Sequence, residues 1–142
     1  MDTESASTAK PTLEIDGAAF DDLPGFWDEV ARKLIPGAYW GRNLDAFNDI
    51  LRGGFGTPEG GFVLRWLNAE RSKRQLGFPE TVLYIERKLH TCHPQNVPYV
   101  TEDLAAARRG EGQTLFEIIV EIISCHGPGG TESEDGVVLE LT

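Results

Sequence analysis

Cysteine is scarce in this 142-residue sequence, which contains only Cys92 and Cys125. Small secreted domains that depend on disulfides carry more cysteines at closer spacing. Long hydrophobic runs are also missing: the longest, 118–123, is interrupted by Glu121 and is far shorter than the roughly 20 residues that cross a bilayer. The first ten residues, MDTESASTAK, lack the apolar segment of a secretory signal. We therefore expect a cytoplasmic protein without a membrane span.

Basic residues are few as well. The sequence has 13 lysines and arginines against 23 acidic residues, which gives a net charge of −10. This balance disfavours nucleic-acid binding, because phosphates require a basic surface. It suits a basic protein partner, which such a charge would attract rapidly and in a salt-sensitive way. The remaining composition, 40% hydrophobic and 25% charged, is that of an ordinary globular domain.

Three short segments are typical of β-strands: 12–16, 62–67 and 137–141. The second, FVLRWL, is almost continuously apolar, which favours a strand that is covered on both faces. Helical patterns separate the three strands, so we predict an α/β fold with a small three-stranded parallel sheet packed against helices. We expect residues 1–11 to be a flexible N-terminal tail and 12–142 to form a single domain.

Six segments have the apolar spacing or charge pattern of helices. Asp21 or Asp22 is a suitable N-cap for the first of them, and Asn43 for the second. Thr114 and Glu117 match a capping box before the last, which favours a helix there although its isoleucine-rich run leaves a strand open. The predicted helices cover 23–34, 44–51, 69–76, 80–89, 101–109 and 115–123.

Patterns that would indicate catalysis or metal binding are weak. Asp45 and Asp49 could form an acid–base pair, but neighbouring carboxylates on one exposed helix face do not oppose each other across a cleft. The histidines and cysteines within 90–93 and 125–126 lack the spacing of a zinc site. The glycine-rich loop 53–61 lacks the Gly-Lys-Ser/Thr ending of a phosphate-binding loop. We predict no enzyme activity, no metal site and no cofactor.

Residues 39–51, YWGRNLDAFNDIL, combine aromatic and acidic side chains on one short segment. Helical periodicity places Asp45, Asn48 and Asp49 on the polar face, and two aromatic residues come immediately before the helix. Aromatic anchors beside fixed charge are typical of a binding hot spot. A structural role, in which the aromatics pack inward and the acids solvate the helix, stays open. We expect one of the two aromatics to pack inward in either case.

This segment resembles the signature of the barstar family, whose members are intracellular ribonuclease inhibitors. The family pattern is two aromatics, Gly, any residue, Asn-Leu-Asp-Ala, two variable residues and Asp. It is matched here by Tyr39, Trp40, Gly41, Asn43, Leu44, Asp45, Ala46 and Asp49. LEIDG before the segment and FVLRWLNAERSKRQLG after it are similar to the family's neighbouring elements in the same order. The resemblance therefore covers 13–77 and implies a barstar-like fold, with an insertion around 78–113.

The resemblance implies inhibition of a small microbial ribonuclease of the guanyl-specific, barnase-like kind. The carboxylate matching Asp49 would replace the substrate's scissile phosphate, Asp45 would add a second charge, and Tyr39 an aromatic contact. The partner would be a small basic ribonuclease bound one to one, and the free inhibitor a monomer. This interpretation requires Asp49 to be exposed and not engaged in an internal ion pair. The alternative is a non-inhibitory interaction or regulatory module with the same fold.

The expected partner-binding residues lie mostly in the signature segment. The sequence departs from the family pattern just before the second aspartate, where the family's tryptophan is replaced by an asparagine, so that one aromatic contact is missing. The family also has a late acidic contact, which either Glu121 or Glu86 could match. The full expected set is Tyr39, Trp40, Gly41, Asn43, Asp45, Asn48, Asp49 and Glu121.

Overall fold

A computed structural model describes residues 10–53 and 56–142 of the chain. Over these residues the chain forms one parallel sheet of three strands, in the order β1-β2-β3. The strands are Thr12–Asp16 (β1), Phe62–Leu67 (β2) and Val137–Leu141 (β3). The predicted α/β fold with a three-stranded parallel sheet is therefore confirmed.

The described part of the chain also has six α-helices, each overlapping a predicted one. The fourth and fifth begin earlier than predicted, because each has a proline in its first turn, where the missing N–H is tolerated. None of the described helices is long and apolar enough to cross a membrane. They are Leu23–Lys33 (α1), Leu44–Ile50 (α2), Ala69–Gln75 (α3), Phe78–Thr91 (α4), Val97–Arg108 (α5) and Leu115–Cys125 (α6).

The two faces of the sheet differ. On the inner face of β2, Phe62 and Trp66 are completely buried. On the outer face, Arg65 lies between Glu14 of β1 and Glu140 of β3 and donates hydrogen bonds to both, at 3.2 and 3.0 Å. The expectation that β2 is covered on both faces is therefore wrong, because its outer face carries this row of exposed charges.

The inner face packs on helices α1 and α2 through a group of aromatic rings. Asp22, one of the two predicted candidates, caps α1 by accepting a hydrogen bond from the backbone N–H of Gly25 at 2.8 Å. Phe26 of α1 then contacts both Trp66 of β2 and Phe47 of α2, with ring centroids 5.4 and 5.7 Å apart. This contact fixes the position of α2 relative to the sheet.

Glu29 is a buried carboxylate that joins α1 to β1. Its side chain accepts hydrogen bonds from the backbone N–H of Asp16 at 2.8 Å and from Arg32 at 2.6 Å, and the residue is 1% exposed.

We expect Glu29→Ala to lower the free energy of unfolding by about 1–3 kcal/mol, because the Asp16 N–H loses its acceptor. Urea denaturation measures the effect. Glu14→Ala, which breaks only an exposed ion pair, should change stability by less than about 1 kcal/mol, and equal losses in both variants would contradict this account.

The segment expected to be an insertion forms a hairpin of α4 and α5. Val100, Leu104 and Ala107 of α5 are buried, and α5 packs along α4. Two side chains at the start of α4 attach the hairpin to the rest of the protein. Glu80 accepts a hydrogen bond from the backbone N–H of Leu23 at 2.8 Å, and Thr81 accepts one from the N–H of Leu115 at 2.9 Å.

The expected N-terminal tail falls mostly on residues 1–9, which lie outside the described residues. Its last two residues contact the sheet region. The Lys10 ammonium donates a hydrogen bond to the carbonyl of Gly136 at 2.6 Å, and the carbonyl of Pro11 accepts one from the N–H of Val63 at 2.8 Å. These two residues are therefore attached to the fold.

The glycine-rich loop 53–61 connects α2 to β2. Gly54 and Phe55, in its middle, lie outside the described residues. The buried hydroxyl of Thr57 donates a hydrogen bond to the carbonyl of Ile50 at the end of α2. This bond holds the second half of the loop against the helix that carries the signature segment.

Candidate partner-binding site

Helix α2 presents two contrasting faces. Asn43 caps it, with its side-chain oxygen accepting a hydrogen bond from the N–H of Ala46 at 2.7 Å, so the predicted N-cap is confirmed. Phe47 is completely buried, whereas Asp45 and Asp49 are exposed. A helix of seven residues is too short to be stable alone and depends on such packing. The core contact therefore holds both carboxylates at the surface.

The two aromatic residues before α2 have different environments. Tyr39 is fully exposed, at 101% of its reference area. Trp40 packs edge-on against Trp27 of α1, with ring centroids 5.5 Å apart, as expected for one of the pair. Its indole N–H is buried and has no hydrogen-bond partner among the described residues. Gly41 is exposed, and a Cβ there would lie 3.1 Å from the Cβ of Ala46, so glycine allows the loop to approach α2 closely.

Asn48, which we expected on the partner-facing surface, is directed into the protein. It is half-buried, and its side-chain oxygen lies 2.6 Å from Nε2 of His126. The His126 ring is completely buried, and its other nitrogen lies 2.6 Å from a carboxylate oxygen of Asp135. The amide at position 48 thus provides a polar partner for a buried ring nitrogen.

Asp49 is exposed but not free. Its side chain is 53% exposed and accepts a hydrogen bond from Nη1 of Arg52 at 2.8 Å. Arg52 also donates from Nε and Nη2 to the two carboxylate oxygens of Glu132, at 2.8 and 3.3 Å. These bonds lower the pKa of Glu132 and raise that of Arg52. Asp49 is therefore exposed, as the interpretation of this segment requires. It also forms an internal ion pair with Arg52, which that interpretation excluded. An exposed pair of this kind contributes only about 0–1 kcal/mol, so another cation can displace Arg52.

Glu132 is an acidic neighbour of Asp49 that the sequence analysis missed. The two earlier candidates for the late acidic contact lie elsewhere. Glu121 is exposed on α6 and accepts a hydrogen bond from Gln113 at 3.2 Å. Glu86 pairs with Arg108 of α5 at 2.8 Å. A signal for Glu132 was present in the sequence, in the acidic run TESED before β3, but nothing local indicated that this run contacts α2.

The N-terminal end of α2 adjoins the hairpin of α4 and α5. Burial, and secondarily the charge of Asp45, raises the pKa of Tyr84 on α4. A groove of about 350 Å³ separates α1 and α4 here, lined in part by Trp27, Arg42 and Lys88. The exposed acidic face of α2 is therefore bordered by α4 at one end and by the Glu132 loop at the other.

One group of side chains has the proximity of a metal site. Ligand atoms of His126, Glu132 and Asp135 all lie within 4.8 Å of one another. Each is already engaged, because His126 contacts Asp135 directly at 2.6 Å and Glu132 binds Arg52. All three side chains therefore already have partners within the protein. Both cysteines, which lie in the described part of the chain, are free thiols.

Comparison with known proteins identifies the family. A family model described as Barstar (barnase inhibitor) matches residues 10–87, which is more than half of the 142-residue chain. The matched range includes the whole signature segment and reaches into α4. A search of curated proteins gives no match. With its three-stranded parallel sheet and its exposed acidic helix after two aromatic residues, the chain belongs to the barstar family.

Proposed function

We propose that this protein is a cytoplasmic inhibitor of a small basic ribonuclease of the barnase-like, guanyl-specific kind, and not itself an enzyme. The observation that carries the proposal is the exposure of Asp45 and Asp49 on a helix whose opposite face is anchored in the core by Phe47. A nuclease active site is arranged to hold a phosphate. A carboxylate presented from a fixed helix can form charge-assisted hydrogen bonds there while losing little conformational entropy.

Asp49 takes the place of the scissile phosphate in this proposal, and Asp45 adds a second negative charge. The fully exposed ring of Tyr39 provides an aromatic contact beside them. Trp40, Gly41 and Asn43 shape this surface through their packing and capping roles. Glu121 remains a proposed outer contact. We propose a complex of one inhibitor with one nuclease, and a monomeric inhibitor before binding.

Binding requires Asp49 to exchange Arg52 for cations of the nuclease. When the Asp49 carboxylate binds the nuclease, Arg52 keeps its two hydrogen bonds to Glu132. The arginine therefore still has a negatively charged partner. The exchange replaces one exposed ion pair, worth about 0–1 kcal/mol, by charge-assisted bonds in a desolvated site, which are stronger. The internal ion pair therefore reduces the affinity of the proposed complex without preventing it.

Arg52→Ala tests this exchange. The change removes a cation from the surface that meets a basic partner, so we expect faster association and inhibition that is tighter by up to about fivefold, the equivalent of one exposed ion pair. Stopped-flow association measures the rate. The matched control, Lys73→Ala, removes one positive charge from α3. Weaker inhibition by Arg52→Ala would contradict the exchange and show that Arg52 orients Asp49 for binding.

The proposed function is tested by titrating small basic ribonucleases, including the guanyl-specific secreted ones, with this protein. We expect inhibition that is complete at a one-to-one ratio and weakens as salt is added. A basic protein of similar size without nuclease activity serves as the control for non-specific charge attraction. Binding to the control with equal strength, or no inhibition of any nuclease from the same organism, would favour the non-inhibitory interaction module instead.

A further inference from the structure

His126 occupies an unusual position between three elements. It is the C-cap residue of α6 and is 0% exposed. One ring nitrogen lies 2.6 Å from Asp135, just before β3, and the other lies 2.6 Å from Asn48 of α2. Both nitrogens of this buried ring therefore have a polar partner, and the ring connects the loop before β3 to α2.

Charged groups surround His126. Asp135, whose side chain is 16% exposed, lies at hydrogen-bond distance from the ring. Glu132 lies in the same cluster and is held by Arg52, which also binds Asp49 on the α2 side. Asp135 and Glu132 of the loop thus lie near the ring, and Arg52 connects Glu132 to Asp49 of α2.

The loop 127–136 is held against the end of α6 in its middle and directly after its last residue. The N–H of Glu132 donates a hydrogen bond to the carbonyl of Cys125, and the N–H of Val137 donates one to the carbonyl of His126, both at 2.8 Å. A Cβ on Gly130 would lie 2.4 Å from the carbonyl oxygen of Cys125, so the loop is in close contact with the helix end. The His126 side chain extends this packed unit to α2.

We infer that His126 is a positioning residue for α2. It fixes Asn48 and thereby the adjacent Asp49 relative to the Glu132 loop. The role in inhibition rests on the proposed function, whereas the coupling of His126 to α2 does not. The same geometry assigns Asn48 a role inside the protein in place of a contact with the partner.

Hydrogen exchange of the backbone amides tests the coupling in the free protein. Asn48→Leu, which leaves the buried ring nitrogen without its partner, should lower the protection of the α2 amides about tenfold, the effect of one unsatisfied buried polar group. Asn48→Asp, which keeps an oxygen at this position, should retain the wild-type protection. Protection of the β2 amides should not change, and neither should that of α2 in Gln113→Leu, which removes an exposed side-chain amide.

Protection of α2 in Asn48→Leu that equals the wild-type value would overturn the inference. The inhibition assay then separates this inference from the proposed function. If the wild type inhibits a nuclease, Asn48→Leu should inhibit it less strongly even though Asp49 is intact. If the wild type inhibits none, the proposed function fails while the exchange measurement still decides the role of His126.

Discussion

Asp49→Ala is expected to weaken inhibition by about 2–5 kcal/mol, or about 30-fold to about 5,000-fold. The mutation leaves the nuclease's phosphate-binding cations desolvated and without a counter-charge, which is why the expected loss is large. The barnase–barstar complex is itself one of the measured cases behind this range. Inhibition constants from a nuclease assay measure the effect, and Asp49→Asn tests the charge at nearly constant shape.

The same variant should fold normally. Asp49 contributes one exposed ion pair to the free protein, so Asp49→Ala should change the free energy of unfolding by less than about 1 kcal/mol. Asp103→Ala is the matched control, because Asp103 is an exposed aspartate on α5 that forms no ion pair with any described residue. Equal losses of inhibition in the two variants would show that general acidity, and not Asp49, drives binding.

Phe47→Ala should have the largest effect on stability, about 3–5 kcal/mol. Phe47 is completely buried, and its ring lies 5.7 Å from that of Phe26 and 6.0 Å from that of Trp27. The loss is a large part of the 5–15 kcal/mol by which domains are typically stable. Urea denaturation measures it, and Phe47→Leu, which leaves a smaller cavity, gives a milder variant if the alanine protein does not fold. A loss below about 1 kcal/mol would show that α2 is not anchored in the core.

Phe47 and Asp49 lie two positions apart on the same short helix, so the two variants separate folding from binding. Phe47→Ala removes the anchor and leaves the charge, whereas Asp49→Ala removes the charge and leaves the anchor. Weaker inhibition by the folded Phe47→Leu protein, with its carboxylates unchanged, would indicate that the fixed position of α2 contributes to affinity.

The strands and caps could be predicted because their signals are local. The apolar residues of β1 and β3 and the capping residues Asn43 and Thr114 act within a few positions of themselves. The outer face of β2 was misjudged although Arg65 already interrupts its apolar run, because its two glutamate partners belong to other strands. The helices α4 and α5 begin earlier than predicted, each with a proline in its first turn.

The network around Asp49 could not be predicted, because its bonds join residues that are far apart in sequence. Asn48 is separated from His126 by 78 positions, and Arg52 from Glu132 by 80. Helical periodicity gives the angle of a side chain around the helix axis but does not identify the neighbouring element. Asn48 directly follows the buried Phe47, about 100° further around the helix, so it lies at the border of the two faces. Asn48 is directed into the protein because His126, at the end of α6, lies next to it.

The hairpin of α4 and α5 belongs to the same domain as the sheet in our proposal. We propose that 12–142 fold as a single domain, since the main hydrophobic cluster includes residues from Ile15 to Val137 and Glu80 and Thr81 bind the hairpin to the rest of the protein. The family match ends at residue 87, so the part of the expected insertion that lies outside the match is 88–113.

Competition with a nucleotide tests most directly whether the Asp49 carboxylate takes the place of the phosphate. Inhibition of a susceptible nuclease is titrated while a non-cleavable nucleotide bearing a phosphate fills increasing fractions of the active site. This account predicts that the apparent inhibition constant rises in inverse proportion to the fraction of active sites left empty, and that Asp49→Ala loses most of this dependence. Equal binding of the inhibitor to the empty and to the nucleotide-filled nuclease would contradict it.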